Sequence, residues 1–182
     1  MRRFATDGRP SSADTAAEAG RLGLDAQKAL AKLAREDLVH LGDDEEIIVA
    51  YPFSGRPTVH QVRFPSGHET YAMCAIDALG IAPMFDQPVQ IASSDPLVGD
   101  AVRVHLAPEG AATWEPESAV VVAGVTVHSD DSFQSCCPVL NFFATDENAE
   151  RWLAQHPEVR GHMASIPEAV VAGRAVFGDM LR

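Results

Sequence analysis

The chain has 182 residues, of which 46% are hydrophobic, and its formal net charge is -12 at pH 7. That length allows one sizeable domain, or a core domain with a small lobe. The negative charge repels phosphate backbones and argues against nucleic acid as a partner, and no apolar run is long enough to span a bilayer.

Residues 1–56 predict a small N-terminal lobe. Its first ten residues are polar and predict a loose arm. A helical pattern begins at Ser11, is broken by a glycine turn, and resumes behind Asp25, which is a typical N-cap residue. The stretch DLVHLGDDEEIIVAYPF then predicts two short strands around an acidic turn. Helix, turn, helix and hairpin together outline a winged helix.

The charges of this lobe argue against a DNA-binding role. The predicted wing carries four acidic residues, Asp43, Asp44, Glu45 and Glu46, where a wing that grips phosphates would need lysine or arginine. We therefore expect a packing lobe without a nucleic-acid function. A transcriptional regulator stays as the competing interpretation, and salt-sensitive DNA binding would support it.

Residues 57–182 predict the core of the protein. RPTVHQVRFPSGHETYAM has the pattern of strand, turn and strand, and CAIDALGIAPMF that of a short helix ending near Gly80 and Pro83. PVQIAS, AVRVHLAP and SAVVVAGVTVH predict strands because β-branched residues are dense in them. SCCPVLNFFAT is predicted to be partly extended.

Two helices are predicted at the end of the chain. One begins near Asp146, and the other has Ser165 as N-cap with Glu168 completing a capping box. The predicted fold class is therefore α+β. A small winged-helix-like N-terminal lobe packs on a mixed or antiparallel β core with flanking helices.

Cys74 and Asp77, in the stretch YAMCAIDAL, form the first candidate pair. Residues three apart share one face of a helix, so these side chains would meet in a helical segment. A helix start would favour a thiolate on Cys74, whereas a carboxylate would repel that thiolate unless Asp77 carries a proton. Taken alone, the pair is more typical of a buried structural cysteine beside a surface aspartate.

The other two cysteines, Cys136 and Cys137, are neighbours. In an extended chain adjacent side chains point to opposite faces, so one site can use only one of them, and a disulfide between neighbours would be strained. The residues alone do not decide between one functional thiol and two packing residues. Three cysteines without the spacing of a disulfide scaffold predict free thiols in a reducing cytoplasm, and no secretory signal is predicted at the N-terminus.

Two converging thiolates would form a soft ligand pair, suited to a soft metal ion rather than to magnesium or calcium. The seven histidines are scattered singly, and two cysteines with one acid do not match a tetrahedral structural zinc site. A thiophilic substrate fits this set better. The sequence contains no glycine-rich phosphate loop, Gly-x-Ser-x-Gly elbow or His-Glu-x-x-His pair.

Four segments in chain order carry a family resemblance: YAMCAIDAL, QSCC followed by FFAT, DENAERWLAQHPEVRG, and SIPEAV. Together they resemble the organomercurial, or alkylmercury, lyases. The resemblance covers about residues 57–182. The N-terminal lobe matches in outline only, since that family carries a winged-helix-like lobe before its core.

The resemblance implies roles for three residues. Cys74 and Asp77 would be the first cysteine and the acid of the family's site, and Cys137 would be the second cysteine. Alignment on the QS dipeptide before the cysteine pair and on the FF dipeptide after it places Cys137 at the essential position. Cys136 then lies where an aromatic residue usually stands.

Three further positions depart from the family's pattern. Pro138 stands where a dispensable second cysteine is usual, Met73 where tryptophan is common, and Asp95 where many members have a third, structural cysteine. The change at Met73 predicts a pocket of different shape. These departures suggest a divergent branch of the family.

The resemblance implies protonolysis of a carbon–mercury bond. Cys74 and Cys137 would hold the mercury of the substrate and of the product, and Asp77 would carry the proton. The implied partners are a small organomercurial or a similar thiophilic substrate, and low-molecular-weight thiols that remove the product. No organic cofactor, nucleic acid or membrane is implied.

Two further functions compete with the lyase. The same thiols could store or transfer Hg(II), Cu(I) or another soft ion without any reaction. Alternatively, a protein with the lyase fold could have been recruited to other thiol-dependent bond cleavage. The acid beside Cys74 favours the enzyme, since a chelator has no evident need for a proton carrier.

Overall fold

The computed structural model of the chain describes residues 1–43, 46–126 and 135–181. Among them, a short 3-10 helix precedes five α-helices, and the strands form two sheets. The helices are the 3-10 helix Arg2–Ala5, α1 Ser12–Arg21, α2 Ala26–Arg35, α3 Ala75–Phe85, α4 Asp146–Gln155 and α5 Ile166–Phe177.

The larger sheet has eight strands in the order β1-β2-β3-β5-β4-β6-β7-β8, and the smaller one has the order β10-β9-β11. Every pair of neighbours is antiparallel, which agrees with the predicted α+β class. The strands are β1 Val39–Leu41, β2 Ile47–Ala50, β3 Phe53–Ser54, β4 Gln61–Arg63, β5 Glu69–Ala72, β6 Val89–Ser94, β7 Ala101–Leu106, β8 Ala112–Glu115, β9 Val120–Thr126, β10 Asn141–Phe143 and β11 Val159–Ser165.

The N-terminal lobe has the predicted order of helix, helix and hairpin. Asp25 caps α2 by accepting the backbone N–H of Lys28, and β1 pairs with β2. Through β3 and β5 this hairpin continues into the sheet of the core. Two residues of the predicted wing, Asp44 and Glu45, lie outside the described residues. The division of the chain at residue 56 and the winged-helix character of the lobe stay predictions.

The prediction of a loose N-terminal arm is wrong. Phe4 is buried, and its ring stacks on Phe53 with the ring centroids 5.2 Å apart. Its carbonyl also lies 3.0 Å from the Nε2 atom of His68. The sequence in this segment is polar apart from a few positions, and burial of one large aromatic side chain is enough to fix it against the core.

Helix α3 does not end near Gly80 and Pro83 as predicted; it continues to Phe85. Pro83 removes only one backbone hydrogen bond from its last turn. Gly80 is required by packing, because a Cβ there would collide with the ring of Phe177 and with the Gly173 carbonyl of α5. The contact with α5 therefore overrides the local signals that disfavour a helix.

One further prediction near the C-terminus is corrected. The two closing helices are present, and Ser165 and Glu168 form the predicted capping box, but the strand β11 lies between the helices and was not predicted. The prediction that SCCPVLNFFAT is partly extended is confirmed, since residues 135–139 are helical or turn and the strand begins at Asn141. None of the helices in the described ranges is both long and apolar enough to cross a membrane.

Candidate functional site

Cys74 lies where β5 passes into α3, and it is the N-cap of that helix. Its backbone is extended, and its Sγ accepts the backbone N–H of Asp77 at 3.4 Å. Serine or aspartate usually takes this position because an oxygen satisfies a free N–H of the first turn. In this chain a sulfur atom does so, which directs the thiol toward the side chain of Asp77.

Asp77 occupies the first turn of α3, and both it and Cys74 are buried, with 4% and 2% of their surfaces exposed. The predicted helical spacing of this pair is therefore present. The alternative of a surface aspartate is wrong, because nearly the whole carboxyl side chain is removed from water. A carboxyl group buried beside a thiol is costly in its charged form.

Cys137 is brought to the same place by a turn. The backbone N–H groups of Val139 and Leu140 both donate to the carbonyl of Cys136, and Cys137 is 6% exposed whereas Cys136 is half-buried. The Leu140 carbonyl accepts the N–H of Ala75 at 2.8 Å, so a main-chain hydrogen bond joins this turn to the start of α3. Of the QS dipeptide used for alignment, the glutamine lies outside the described residues.

The three predicted side chains converge. One ligand atom from each of Cys74, Asp77 and Cys137 lies within 4.8 Å of the other two, and the Cys137 Sγ is 4.0 Å from Asp77 Oδ2. A zinc–thiolate bond is about 2.3 Å long, so two sulfurs at this separation can both bind one soft ion placed between them. The donor set suits such an ion and not a hard cation.

Burial dominates the protonation of the site. It raises the pKa of Asp77 to about 7, against the hydrogen bonds from Cys74 that lower it. Burial also raises the pKa of the Cys74 thiol to about 11, which outweighs the favourable helix start. Of the two opposing effects expected at Cys74, the helix start and the neighbouring carboxyl group, the one that favours a thiolate is the weaker in this buried site. At neutral pH the thiol is protonated, and the carboxyl is poised to gain or lose a proton.

The pKa of the Cys137 thiol is also raised. The hydrogen bond with Cys136 lowers it, but the contact with Cys74, burial and the charge of Asp77 together raise it by more. Both thiols thus stay protonated until another electrophile displaces the protons from sulfur. A soft metal ion can do this, because it binds the sulfur in its deprotonated form.

Sequence reasoning missed Tyr51, whose hydroxyl lies 3.5 Å from the Cys137 Sγ. Tyr51 is buried and follows β2 in the N-terminal lobe. The contact joins residues 86 positions apart in the chain, so no local sequence spacing predicts it. Burial, followed by the hydrogen bond with Cys137, raises the pKa of Tyr51, so its hydroxyl keeps its proton.

Apolar side chains enclose the site. The two site cysteines and Tyr51 belong to one buried cluster, completed by Val49, Met84 and Phe177. Met73 is partly buried and packs against this cluster, so the residue that departs from the family's tryptophan lies beside the site. Such a shell excludes water and strengthens the electrostatic interactions inside it.

Asp95, another of these departures, is not one of the side chains that converge with the two cysteines. It is 1% exposed, and its carboxylate accepts N–H groups of Leu97, Ala144 and Asn148 at 2.8 to 2.9 Å. It therefore joins the turn after β6 to the start of α4. In this chain a hydrogen-bonded carboxylate fills the position where the resemblance implies a structural cysteine.

Two other features of the chain are separate from this site. An open cleft of about 490 Å³ lies between the ends of β4, β6, β7 and β8, and none of the three candidate residues lines it. His60 is buried with its Nδ1 2.9 Å from the hydroxyl of Ser93. That contact makes His60 a hydrogen-bonded histidine of the core.

Comparison with known proteins gives a consistent result. The family model for alkylmercury lyase matches residues 53–178. An alkylmercury lyase of Staphylococcus epidermidis is 33% identical over 146 residues, which are 80% of this chain and 65% of that protein. One from Bacillus cereus is 29% identical over 162 residues, 88% of this chain and 71% of that protein. The chain thus spans slightly less than two thirds of the first of these relatives.

The fold also matches a solved structure. The crystal structure of the mercury-bound form of MerB2 superposes with a TM-score of 0.76 at 21% sequence identity. The match covers 92% of this chain and 82% of that one. The two proteins therefore share a fold over nearly the whole of this chain.

Proposed function

The chain belongs to the alkylmercury lyase family, and on that premise we propose that it cleaves carbon–mercury bonds by protonolysis. The observation that carries the proposal is the convergence of Cys74, Asp77 and Cys137 within 4.8 Å in a buried, apolar setting. Two soft ligands bind the metal of the substrate, and one acid with a pKa near neutrality supplies the proton.

Capture of the substrate is the first step. An organomercury cation R–Hg⁺ binds one thiol, whose proton passes to Asp77, and then the second thiol, whose proton leaves to solvent. The separation of the two sulfurs supports binding of one mercury by Cys74 and Cys137. Two thiolates donate electron density to the metal, which weakens the bond between mercury and carbon.

Proton transfer completes the reaction. Asp77 gives its proton to the carbon as the carbon–mercury bond breaks, and the bonding electron pair stays with carbon. In the net reaction, R–Hg⁺ and two thiols give R–H, one proton and Hg(II) bound by two thiolates. A general acid works best when its pKa is near the operating pH, and the pKa of about 7 at Asp77 meets that condition.

External thiols then remove Hg(II) from the two cysteines by ligand exchange and return the site to its starting state. The scheme requires no organic cofactor. It requires that the site cysteines stay reduced, and all three cysteines of the chain are free. The cytoplasmic location predicted from cysteine usage would meet this requirement.

The decisive experiment measures the hydrocarbon. Purified protein is incubated with a phenylmercury salt and excess low-molecular-weight thiol in D₂O, and the headspace is analysed by gas chromatography with mass detection. We expect benzene carrying one deuterium, because the transferred proton comes from an exchangeable group. Absence of benzene above the protein-free control would refute the lyase.

The same experiment separates the competing functions. Stoichiometric binding of Hg(II) without release of benzene would identify a protein that holds soft metals. Absence of both mercury binding and benzene release would exclude these two functions and leave other thiol-dependent bond cleavage as the remaining interpretation. The matched control is Cys136→Ser, which alters the half-buried neighbour of Cys137 while leaving all three converging side chains in place.

A further inference from the structure

We propose that Tyr51 positions the sulfur of Cys137 for capture of the metal, so that the N-terminal lobe supplies a working part of the site. This inference rests on the proposed function, since it assigns a residue to the same site. Tyr51 lies in the segment predicted as the N-terminal lobe, two residues before the part of the chain that matches the family model.

The contact is direct. The Tyr51 hydroxyl lies 3.5 Å from Cys137 Sγ, within the range of a hydrogen bond to sulfur, and both side chains are buried. The same sulfur lies 4.0 Å from Asp77 Oδ2. Cys137 thus contacts both the phenol and the acid, and its sulfur lies within 4.8 Å of the sulfur of Cys74.

Tyr51 is itself held in place. Its ring meets that of His40 edge-on, with the ring centroids 5.9 Å apart, and His40 Nε2 lies 2.8 Å from an oxygen of Asp37. The backbone N–H of Tyr51 donates to the carbonyl of Leu38. These contacts connect the phenol to the hairpin of the lobe, which gives the hydroxyl a defined position against the sulfur.

The hydroxyl gains strength as a donor when the metal binds. Cys137 then carries the charge of a thiolate, and hydrogen bonds to charged acceptors are about twice as strong as neutral ones. In metal sites such supporting contacts orient the ligands and typically affect affinity by roughly 10- to 100-fold. Loss of the Tyr51 hydroxyl should therefore weaken capture, while proton delivery by Asp77 continues.

The test compares Tyr51→Phe with the matched variant Tyr71→Phe. The chain has two tyrosines, and Tyr71 lies on β5 with its side chain half-buried. Hg(II) alone is the first probe, with affinity measured by competition against a dithiol and followed by the absorbance of the mercury–thiolate bond. We expect about tenfold weaker binding in Tyr51→Phe and no change in Tyr71→Phe. Equal affinity in Tyr51→Phe and the unaltered protein would overturn the inference.

A second measurement separates positioning from a general loss of structure. In single turnovers with a phenylmercury salt, Tyr51→Phe should capture the substrate about tenfold more slowly and release benzene from the captured complex at the same rate. Equal slowing of both steps would indicate a structural role and contradict the proposal. Because Hg(II) binding is measured without turnover, failure of the lyase proposal would not be mistaken for failure of this one.

A third measurement applies if Tyr51→Phe does not fold. Incorporation of 3-fluorotyrosine into Tyr71→Phe labels Tyr51 alone, and the fluorine resonance reports on the hydroxyl beside it. We expect this resonance to shift when one equivalent of Hg(II) binds. An unchanged resonance at full occupancy would show that the hydroxyl does not contact the metal-bound sulfur.

Discussion

The sulfur of Cys137 lies 4.0 Å from Oδ2 of Asp77, although the residues are 60 positions apart in the chain. At that distance the thiol and the carboxyl group do not share a strong hydrogen bond, and direct proton transfer between them requires a closer approach. The raised pKa of the thiol and the pKa of about 7 at Asp77 keep the proton on sulfur in the resting state. Binding of a soft metal ion displaces the proton from the Cys137 sulfur, so that the Asp77 carboxyl group can then carry it.

The first prediction concerns the thiols. Cys74→Ser and Cys137→Ser should each abolish release of hydrocarbon from an organomercurial, because a single sulfur cannot hold the metal while its bond to carbon breaks. Cys136→Ser should retain activity within a fewfold, since the introduced hydroxyl can still donate a hydrogen bond beside Cys137. Gas chromatography of the hydrocarbon checks all three variants. An inactive Cys136→Ser beside an active Cys137→Ser would show that the two neighbours have been assigned in the wrong order.

The second prediction concerns proton delivery. Asp77→Asn keeps the size of the side chain and removes the acid, so Hg(II) should still bind the two cysteines. Release of hydrocarbon should fall by about 10²- to 10⁴-fold, the usual contribution of a general acid. The measurement pairs Hg(II) binding with single-turnover hydrocarbon release. Unchanged release would remove Asp77 from the mechanism.

The third prediction concerns the pH dependence of stability. Because burial raises the pKa of Asp77 from 3.8 to about 7, the folded protein binds more protons than the unfolded chain between these values. The stabilising contribution of the buried Asp77 carboxyl group to the free energy of unfolding is therefore fully present below about pH 4 and is lost as the pH rises through 7. Asp77→Asn should remove this loss, which is roughly 4 kcal/mol across the window.

Denaturant unfolding of both proteins from about pH 4 to 8 provides the measurement. His60 has the opposite effect on the pH dependence of stability, since burial lowers its pKa to about 4. The unaltered protein alone therefore does not report the effect of Asp77. The difference in free energy of unfolding between the unaltered protein and Asp77→Asn does report it, because His60 is the same in both. A difference that does not change with pH would show that the Asp77 carboxyl titrates at its ordinary value.

The fourth prediction concerns the contact between α3 and α5. A Cβ on Gly173 would lie 2.9 Å from the backbone N of Gly80 and from the carbonyl O of Ile76, closer than such atoms pack. Gly173→Ala should therefore lower the free energy of unfolding by about 1–3 kcal/mol. Gly20→Ala is the matched control, because Gly20 is helical with nothing within 4 Å of its added Cβ. It should stabilise by up to about 1 kcal/mol. Equal stability of the two variants would contradict the packing argument.

The fifth prediction concerns Asp95. Asp95→Ala leaves three N–H donors without their acceptor and should lower the free energy of unfolding by about 3 kcal/mol. The exposed Asp100 in the same loop is the control, and Asp100→Ala should change stability by less than about 0.5 kcal/mol. Hg(II) affinity of folded Asp95→Ala should be unchanged. A loss of affinity in the folded variant would connect this loop to the site.

Local patterns predicted the elements whose signals lie within a few residues. The N-cap at Asp25, the capping box at Ser165 and the helical pairing of Cys74 with Asp77 are of this kind. The family resemblance, rather than spacing, singled out Cys137. The sequence order of segments therefore carried information that no single motif held.

Contacts between distant segments could not be predicted in this way. Helix α3 continues past Gly80 because α5 packs on it, and the N-terminal arm is ordered because Phe4 stacks on Phe53. The position of Tyr51 against Cys137 depends on how the hairpin of the lobe joins the sheet. In each case packing chosen by the whole fold outweighs the preference of the local sequence.

The hydrogen bond from the N–H of Ala75 to the carbonyl of Leu140 has a consequence for how the protein can evolve. Both atoms belong to the main chain, so the bond depends on no side-chain functional group, and proline at position 75 would remove its donor. The start of α3, which carries Cys74 and Asp77, and the turn that carries Cys137 can therefore keep their relative position while the side chains around them change in evolution. That tolerance is consistent with relatives that share about a third of their residues with this chain. It also explains how replacements such as Met73 and Asp95 can accumulate without separating the two sulfurs.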